Sequence, residues 1–218
     1  MRVIIAGQKS FGAAVLDAVA DAGHDVAEVW APSGQDALAR LALRRGLVPY
    51  VGAGHEHVAE LKADLVVCAH SHAFVGRRTR NATKLGAIGY HPSLLPRHRG
   101  RDAVRWTTHM GDPVAGGSVY WLTDSVDGGP LADQRHCLVR PRDTASELWR
   151  RELFPLGVSM LVDVLTALDH GVVRKVEQDE ACATWEPAFD VPPLHRPELP
   201  EIGPMPEVNG RRLRLVTR

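Results

Sequence analysis

The stretch Arg2-Val-Ile-Ile-Ala-Gly7-Gln-Lys-Ser-Phe-Gly12 decides the fold. Its first half is a β-branched run that ends on a glycine. Beyond it Phe11, Val15, Val19 and Ala22 recur at helical spacing, and Gly23 closes the segment. The order is therefore strand, turn, helix. Glycines at such a turn can let backbone amides approach a phosphate at a helix N-terminus. The spacing Gly7 to Gly12 is neither GxGxxG nor a Walker loop, however, and a tight turn capped by Ser10 is the better reading.

Downstream the alternation continues. Residues 25–31 read as a second strand, and 35–45 as a helix offering Leu38, Leu41 and Leu43 to a core. Residues 48–51 read as a short strand, 57–62 as a helical turn or two, and 64–69 as a buried strand. Strands alternating with helices predict a parallel sheet covered by helices, an α/β fold. Further strands are expected at 87–90, 117–122 and 131–139, with a helix at 102–110 and a loop from His91 to Pro96. A long helix follows, opened by the capping box Thr144/Glu147. It is bent near its start by Pro155, carries a stripe through Leu148, Leu153, Leu156, Met160, Leu161, Val164 and Leu168, and stops at Gly171. After Pro187 prolines crowd the chain, so residues 1–187 read as one catalytic-size domain and 188–218 as an extended Pro-rich tail. The Asn209-Gly210 pair offers that tail one hairpin.

Lys plus Arg and Asp plus Glu both number 26, so no global field would concentrate the protein on nucleic acid or an anionic membrane. A small-molecule partner is the expectation, with homo-oligomerisation left open. No apolar run has the length of a bilayer span or a signal peptide core, which predicts a soluble, cytoplasmic protein. Three widely spaced cysteines without a CxxC pair read as reduced thiols, with Cys68 buried in its strand.

Two constellations carry chemistry. His70 and His72 form an HxH after a strand, which could place two imidazoles on one side for a metal, but no third ligand stands at recognisable spacing. The expectation is no metal. The second is Tyr90-His-Pro-Ser-Leu-Leu-Pro-Arg-His-Arg-Gly100, followed about thirty residues later by Leu122-Thr-Asp-Ser-Val-Asp-Gly-Gly129. These segments resemble the folate-dependent formyltransferase family, with its His-Pro-Ser-Leu-Leu-Pro loop and its downstream Asp-x-x-Asp-x-Gly loop. Within that family they are most similar to the hydrolase domain of 10-formyltetrahydrofolate dehydrogenases, which also share the Gly-Gln-x-x-Phe-Gly opening turn. The resemblance runs from Met1 to about Pro187, and Ala183-Thr-Trp-Glu-Pro187 looks like the family's closing segment.

The resemblance implies a Rossmann-like formyltransferase domain that uses 10-formyltetrahydrofolate, with His91 and Asp127 as the catalytic pair. Formyl transfer needs a stabilised tetrahedral oxyanion and a proton for the departing nitrogen, and an imidazole oriented by a carboxylate can supply both. It further implies a pterin pocket formed by Ala69, His70, Phe74 and Val75 together with Leu122, Thr123, Asp124 and Val126. Gly89, Ser93 and Arg97 would lie on the acceptor side, and the basic run Arg97-His98-Arg99 would meet a glutamate tail or an acidic acceptor. Family transferases carry an Asn at the position of Gly89, so one oxyanion donor is missing and open space is expected there. A small amine is the expected acceptor; water, which would make the chain a hydrolase, and a non-catalytic folate-binding module are the alternatives.

Overall fold

The computed structural model describes residues 1–52, 58–71 and 74–189 in full, and the backbone of 207–208 and 211–212. Seven strands form one sheet: β1 (Arg2–Gly7), β2 (Asp25–Ala31), β3 (Tyr50–Val51), β4 (Leu65–Ala69), β5 (Ala87–His91), β6 (Val114–Trp121) and β7 (Leu131–Leu138). Their order is β3-β2-β1-β4-β5-β6-β7. The pairs up to β5 are parallel, whereas β6 runs antiparallel to β5 and β7 antiparallel to β6.

Strand alternation builds two cores. Val3, Ile5, Val67, Ile88 and Tyr90 face one side, under α1 (Lys9–Asp21), α2 (Ala37–Arg44) and α6 (Phe154–Asp169). Ile4, Ala6, Val66, Cys68 and Ala87 face the other, against Trp30, Val58 and Val75. In α2 the inward positions are Leu38, Ala39, Leu41 and Ala42; the Leu43 expected inside is 55% exposed, because the helix turns it away from that stripe. The remaining helices are α3 (Arg77–Asn81), which the sequence reading did not include, α4 (Ala103–Met110) and α5 (Ala145–Leu148).

The first turn is tight for a steric reason. A side chain on Gly7 would overlap the carbonyl of Ala69 on β4, so the end of β1 stays glycine. Ser10 does not cap α1, contrary to expectation. Gln8 precedes the helix, and the Asp36 carboxylate reaches across to accept from Lys9 N at 2.9 Å while also capping α2 through Leu38 N at 2.8 Å. One carboxylate therefore satisfies orphan amides of two helices.

The Thr144/Glu147 capping box is present. The long helix is interrupted by a π-type turn, Trp149–Leu153, immediately before Pro155, whose missing N–H is tolerated at the fresh start of α6. Tyr90 anchors this break to β5: its hydroxyl donates to the Leu153 carbonyl at 2.8 Å, and its ring lies where side chains on Gly117 or Gly157 would otherwise be. In the tail, Glu207–Val208 pairs antiparallel with Arg211–Arg212. Asn209-Gly210 and the 213–216 run lie outside the described residues.

Candidate active site

His91 is the last residue of β5, one position earlier than the loop expected to hold it. Its Nε2–H donates to the His98 carbonyl at 2.7 Å, closing the loop that follows. In the neutral ring this leaves the Nδ1 lone pair facing Asp127 Oδ2 at 3.6 Å, and both side chains are largely buried. Two acceptor atoms do not close to hydrogen-bond distance; a proton on Nδ1 would turn the contact into an attractive ion pair.

Asp127 sits in a left-handed conformation at φ 51, in the loop between β6 and β7. Its carboxylate is oriented by two donors: the Tyr120 hydroxyl to Oδ1 at 2.6 Å and the Gly100 amide to Oδ2 at 2.8 Å. Gln178 holds the backbone beneath, donating to the carbonyls of Asp127 at 2.8 Å and Gly129 at 2.7 Å. Burial, followed by the neighbouring Asp127 charge, pushes the Tyr120 phenol well above its ordinary range, so it stays a donor.

The loop from His91 to Gly100 is held at both ends. Ser118, opposite His91 across the β5/β6 pair, donates to the Ser93 carbonyl at 2.7 Å and accepts from the Leu95 amide, and Gln134 of β7 donates to the Leu95 carbonyl. The Ser93 hydroxyl closes the turn on the Arg97 carbonyl at 2.6 Å. Further along, Thr184 accepts from the His98 and Arg99 amides and donates its own to Pro96.

The basic run is not a solvated triplet. His98 is 2% exposed, with Nε2 on Asp112 at 2.9 Å and Nδ1 beside Glu186 at 3.1 Å. Burial alone would lower its pKa, but the bonds to Glu186 and Asp112 outweigh that and raise it. Arg99 is equally buried, bridging Gln178 and Glu180, and its hydrogen bonds draw the Glu180 carboxyl below its usual range. Only Arg97 is exposed, and it pairs with Asp112 at 3.2 Å. His98 and Arg99 therefore fasten the loop to the 178–186 segment.

The space expected beside Gly89 is not open. A Cβ there would lie 3.1 Å from Leu122 Cδ1 and 3.4 Å from Tyr120 Cε1, so a side chain would fit closely and Leu122 would have to give way slightly. Of the other pocket positions, Phe74 and Val126 are exposed apolar side chains, whereas Val75 is packed into the core. The Ala69 carbonyl accepts from the Gln8 amide, and His70 stands exposed in a left-handed conformation with its ring 6.4 Å from Trp149. Thr123 accepts from the Ser125 amide and shapes the loop, and Asp124 is clamped by Arg80 and Arg77, which hold its carboxyl below the usual range. Arg80 also donates to the Val75 carbonyl at 2.7 Å, tying the two expected walls together. Burial pushes the Cys68 thiol up to about 12, consistent with an inert core residue. His72 lies outside the described residues, and among those described no group of three or more His, Cys, Asp or Glu side chains gathers for a metal. No described helix is long and apolar enough to cross a membrane.

Sequence reading missed Tyr120, Ser118, Gln134 and Gln178. Ser118 was signalled by a hydroxyl in an otherwise apolar strand. Tyr120 and Gln178 carried no local signal, because their partners are supplied by the fold.

Comparison with known proteins agrees with this architecture. Residues 52–165, more than half of the chain, match the family model described as formyl transferase. Over 201 residues the chain is 35% identical to the mitochondrial 10-formyltetrahydrofolate dehydrogenase of Mus musculus, covering 85% of this chain but only 22% of that protein. It is 31% identical to methionyl-tRNA formyltransferase of Nitrosospira multiformis, covering 85% of this chain and 64% of that one. Glycinamide ribonucleotide transformylase 1 from Symbiobacterium toebii superposes with a TM-score of 0.69 at 25% identity, over 81% of this chain and 93% of that one. An N-formyltransferase from Helicobacter canadensis, solved with folinic acid and dTDP-3-aminofucose, shares the fold at a TM-score of 0.70 and 14% identity, over 84% of this chain and 69% of that one. The chain thus spans less than a quarter of the dehydrogenases it matches, and by its family match and its architecture it belongs to the formyl transferase family.

Proposed function

We propose that this chain transfers the formyl group of 10-formyltetrahydrofolate to a small amine, with His91 and Asp127 handling the proton. The observation that carries the reading is the juxtaposition of His91 Nδ1 and Asp127 Oδ2 at 3.6 Å, with His91 held through Nε2 by the His98 carbonyl and Asp127 held through Oδ1 by the Tyr120 hydroxyl. The amine attacks the formyl carbon, a tetrahedral oxyanion forms, and the bond to the folate nitrogen breaks. The net proton movement is from the amine to that nitrogen. His91 Nδ1 takes the proton and returns it, and while charged it is paired with Asp127. A carboxylate already held by Tyr120 and Gly100 needs little reorganisation at that moment.

The cofactor is supported by the names of the relatives and by the folinic acid in one structural neighbour. Phe74 and Val126, exposed on either side of the clamp Arg80–Asp124, suit the apolar walls of a pterin site, with backbone of 69–71 and 122–126 recognising its edge. On the acceptor side Gly89 supplies backbone beside Leu122 and Arg97 supplies an exposed cation, whereas the Ser93 hydroxyl is already committed to the loop.

Water is the competing acceptor, favoured by one observation: residue 89 is a glycine, so the side-chain amide that the family resemblance places there as an oxyanion donor is absent. The test is product analysis by mass spectrometry after incubation with 10-formyltetrahydrofolate and a panel of amines. An N-formyl amine formed faster than formate supports the transferase; rapid formate release that no amine diverts supports the hydrolase; neither product defeats both.

A further inference from the structure

Gly89 and Tyr120 stand directly opposite each other across the β5/β6 pair, on the face that carries His91. Facing residues of an antiparallel pair share one volume, so the size of one limits the position of the other. With no side chain at 89, the Tyr120 ring lies over the glycine, and its hydroxyl reaches Asp127 Oδ1 at 2.6 Å. A Cβ at 89 would stand 3.4 Å from Tyr120 Cε1 and 3.1 Å from Leu122 Cδ1, against the edge of the ring.

We propose that Tyr120 is the positioning residue of the pair: its hydroxyl, seated in the volume that Gly89 leaves, holds the Asp127 carboxylate so that Oδ2 faces His91. The assignment rests on the formyl-transfer reading for its effect on turnover, but its effect on the carboxylate is independent of it. Oδ2 is fixed by one amide, Gly100 N; with that bond alone the carboxylate can swing about it. The Tyr120 bond to Oδ1 removes the freedom. Burial keeps the phenol protonated, so the donor persists across the working range. The charged and titratable groups facing the pair are Cys68 of β4, His91 of β5 and the Arg99 guanidinium beside Gly128, itself held by Gln178 and Glu180.

The experiment is Tyr120→Phe, which keeps the ring and removes only the hydroxyl, read in three ways. Carbon-13 NMR of the Asp127 carboxyl at neutral pH should show its resonance displaced from the wild-type position, since the donor to Oδ1 has been lost. With 10-formyltetrahydrofolate, kcat should fall about tenfold while KM stays within about twofold, as for an interaction that matters to the transition state. In an Asp127→Ala background the same change should cost no further activity, because the group it positions is gone. An unmoved Asp127 carboxyl resonance together with unchanged kcat overturns the assignment, as does a loss that persists undiminished in the Asp127→Ala background. Wild-type protein that leaves 10-formyltetrahydrofolate untouched defeats the formyl-transfer reading instead, and the carboxyl resonance then decides Tyr120 by itself.

Discussion

Two histidines seven residues apart on one loop each stand beside a carboxylate, and they are built for opposite purposes. His98 has each ring nitrogen beside a carboxylate, hydrogen-bonded to Asp112 at 2.9 Å and in ion-pair contact with Glu186 at 3.1 Å, and is sealed from solvent. His91 has one nitrogen spent on the His98 carbonyl and the other 3.6 Å from Asp127, short of a hydrogen bond. The first arrangement is at its best as it stands, with the proton already in place. The second improves when a proton arrives at Nδ1. Residue type does not separate a clamp from a reactive pair; how closely the carboxylates are held to the ring does.

The largest effect on the fold is expected at the clamp. His98→Ala takes from the buried Glu186 the imidazole it faces and leaves Asp112 with Arg97 alone, and should cost about 3 kcal/mol, as broken buried ion pairs do. Chemical denaturation measures it. His91→Asn should cost far less stability, since only the bond to the His98 carbonyl changes. Equal losses from the two variants would erase the distinction.

A smaller effect separates the pairs by pH. Because the folded pKa of His98 is raised, its contribution is fully present below the unfolded value of about 6.5 and is lost as pH rises through the folded value. Melting temperature should therefore decline on the alkaline side of neutrality, and His98→Gln should flatten that part of the profile. A wild-type curve with the same slope as the variant would remove His98 from the account.

The smallest effect refines the view of Gly89. Gly89→Asn alone should not restore a clean oxyanion donor, because its Cβ meets Leu122 Cδ1 at 3.1 Å and crowds the Tyr120 ring. Pairing it with Leu122→Ala should recover severalfold in kcat over the single variant. If the single variant is already faster than wild type, the crowding argument fails.

These contrasts also mark how far the sequence could be read. Strand and helix order from Arg2 to Ala69 was legible because each segment advertises its own period, and the Thr144/Glu147 box announced its helix. His91 and Asp127 were legible only through the resemblance of the loops that carry them. Ser10 and the space at Gly89 were misread because the outcome depends on what another element brings, and Leu43 because of the phase of its own helix. Asp36 accepts from the first turn of α1 although it belongs to the cap of a different helix, and Leu122, just past β6, closes on Gly89 from the neighbouring strand. The roles of His98 and Arg99 depend on Asp112, Gln178, Glu180 and Glu186, between 14 and 88 residues away, which no local pattern announces.

The most direct test is tetrahydrofolate formation from 10-formyltetrahydrofolate by wild-type protein and by Asp127→Asn, with donor binding measured calorimetrically on both. The account predicts that Asp127→Asn slows turnover by a factor on the order of 10²–10⁴ while donor affinity stays within about threefold. Turnover by Asp127→Asn at the wild-type rate would contradict it.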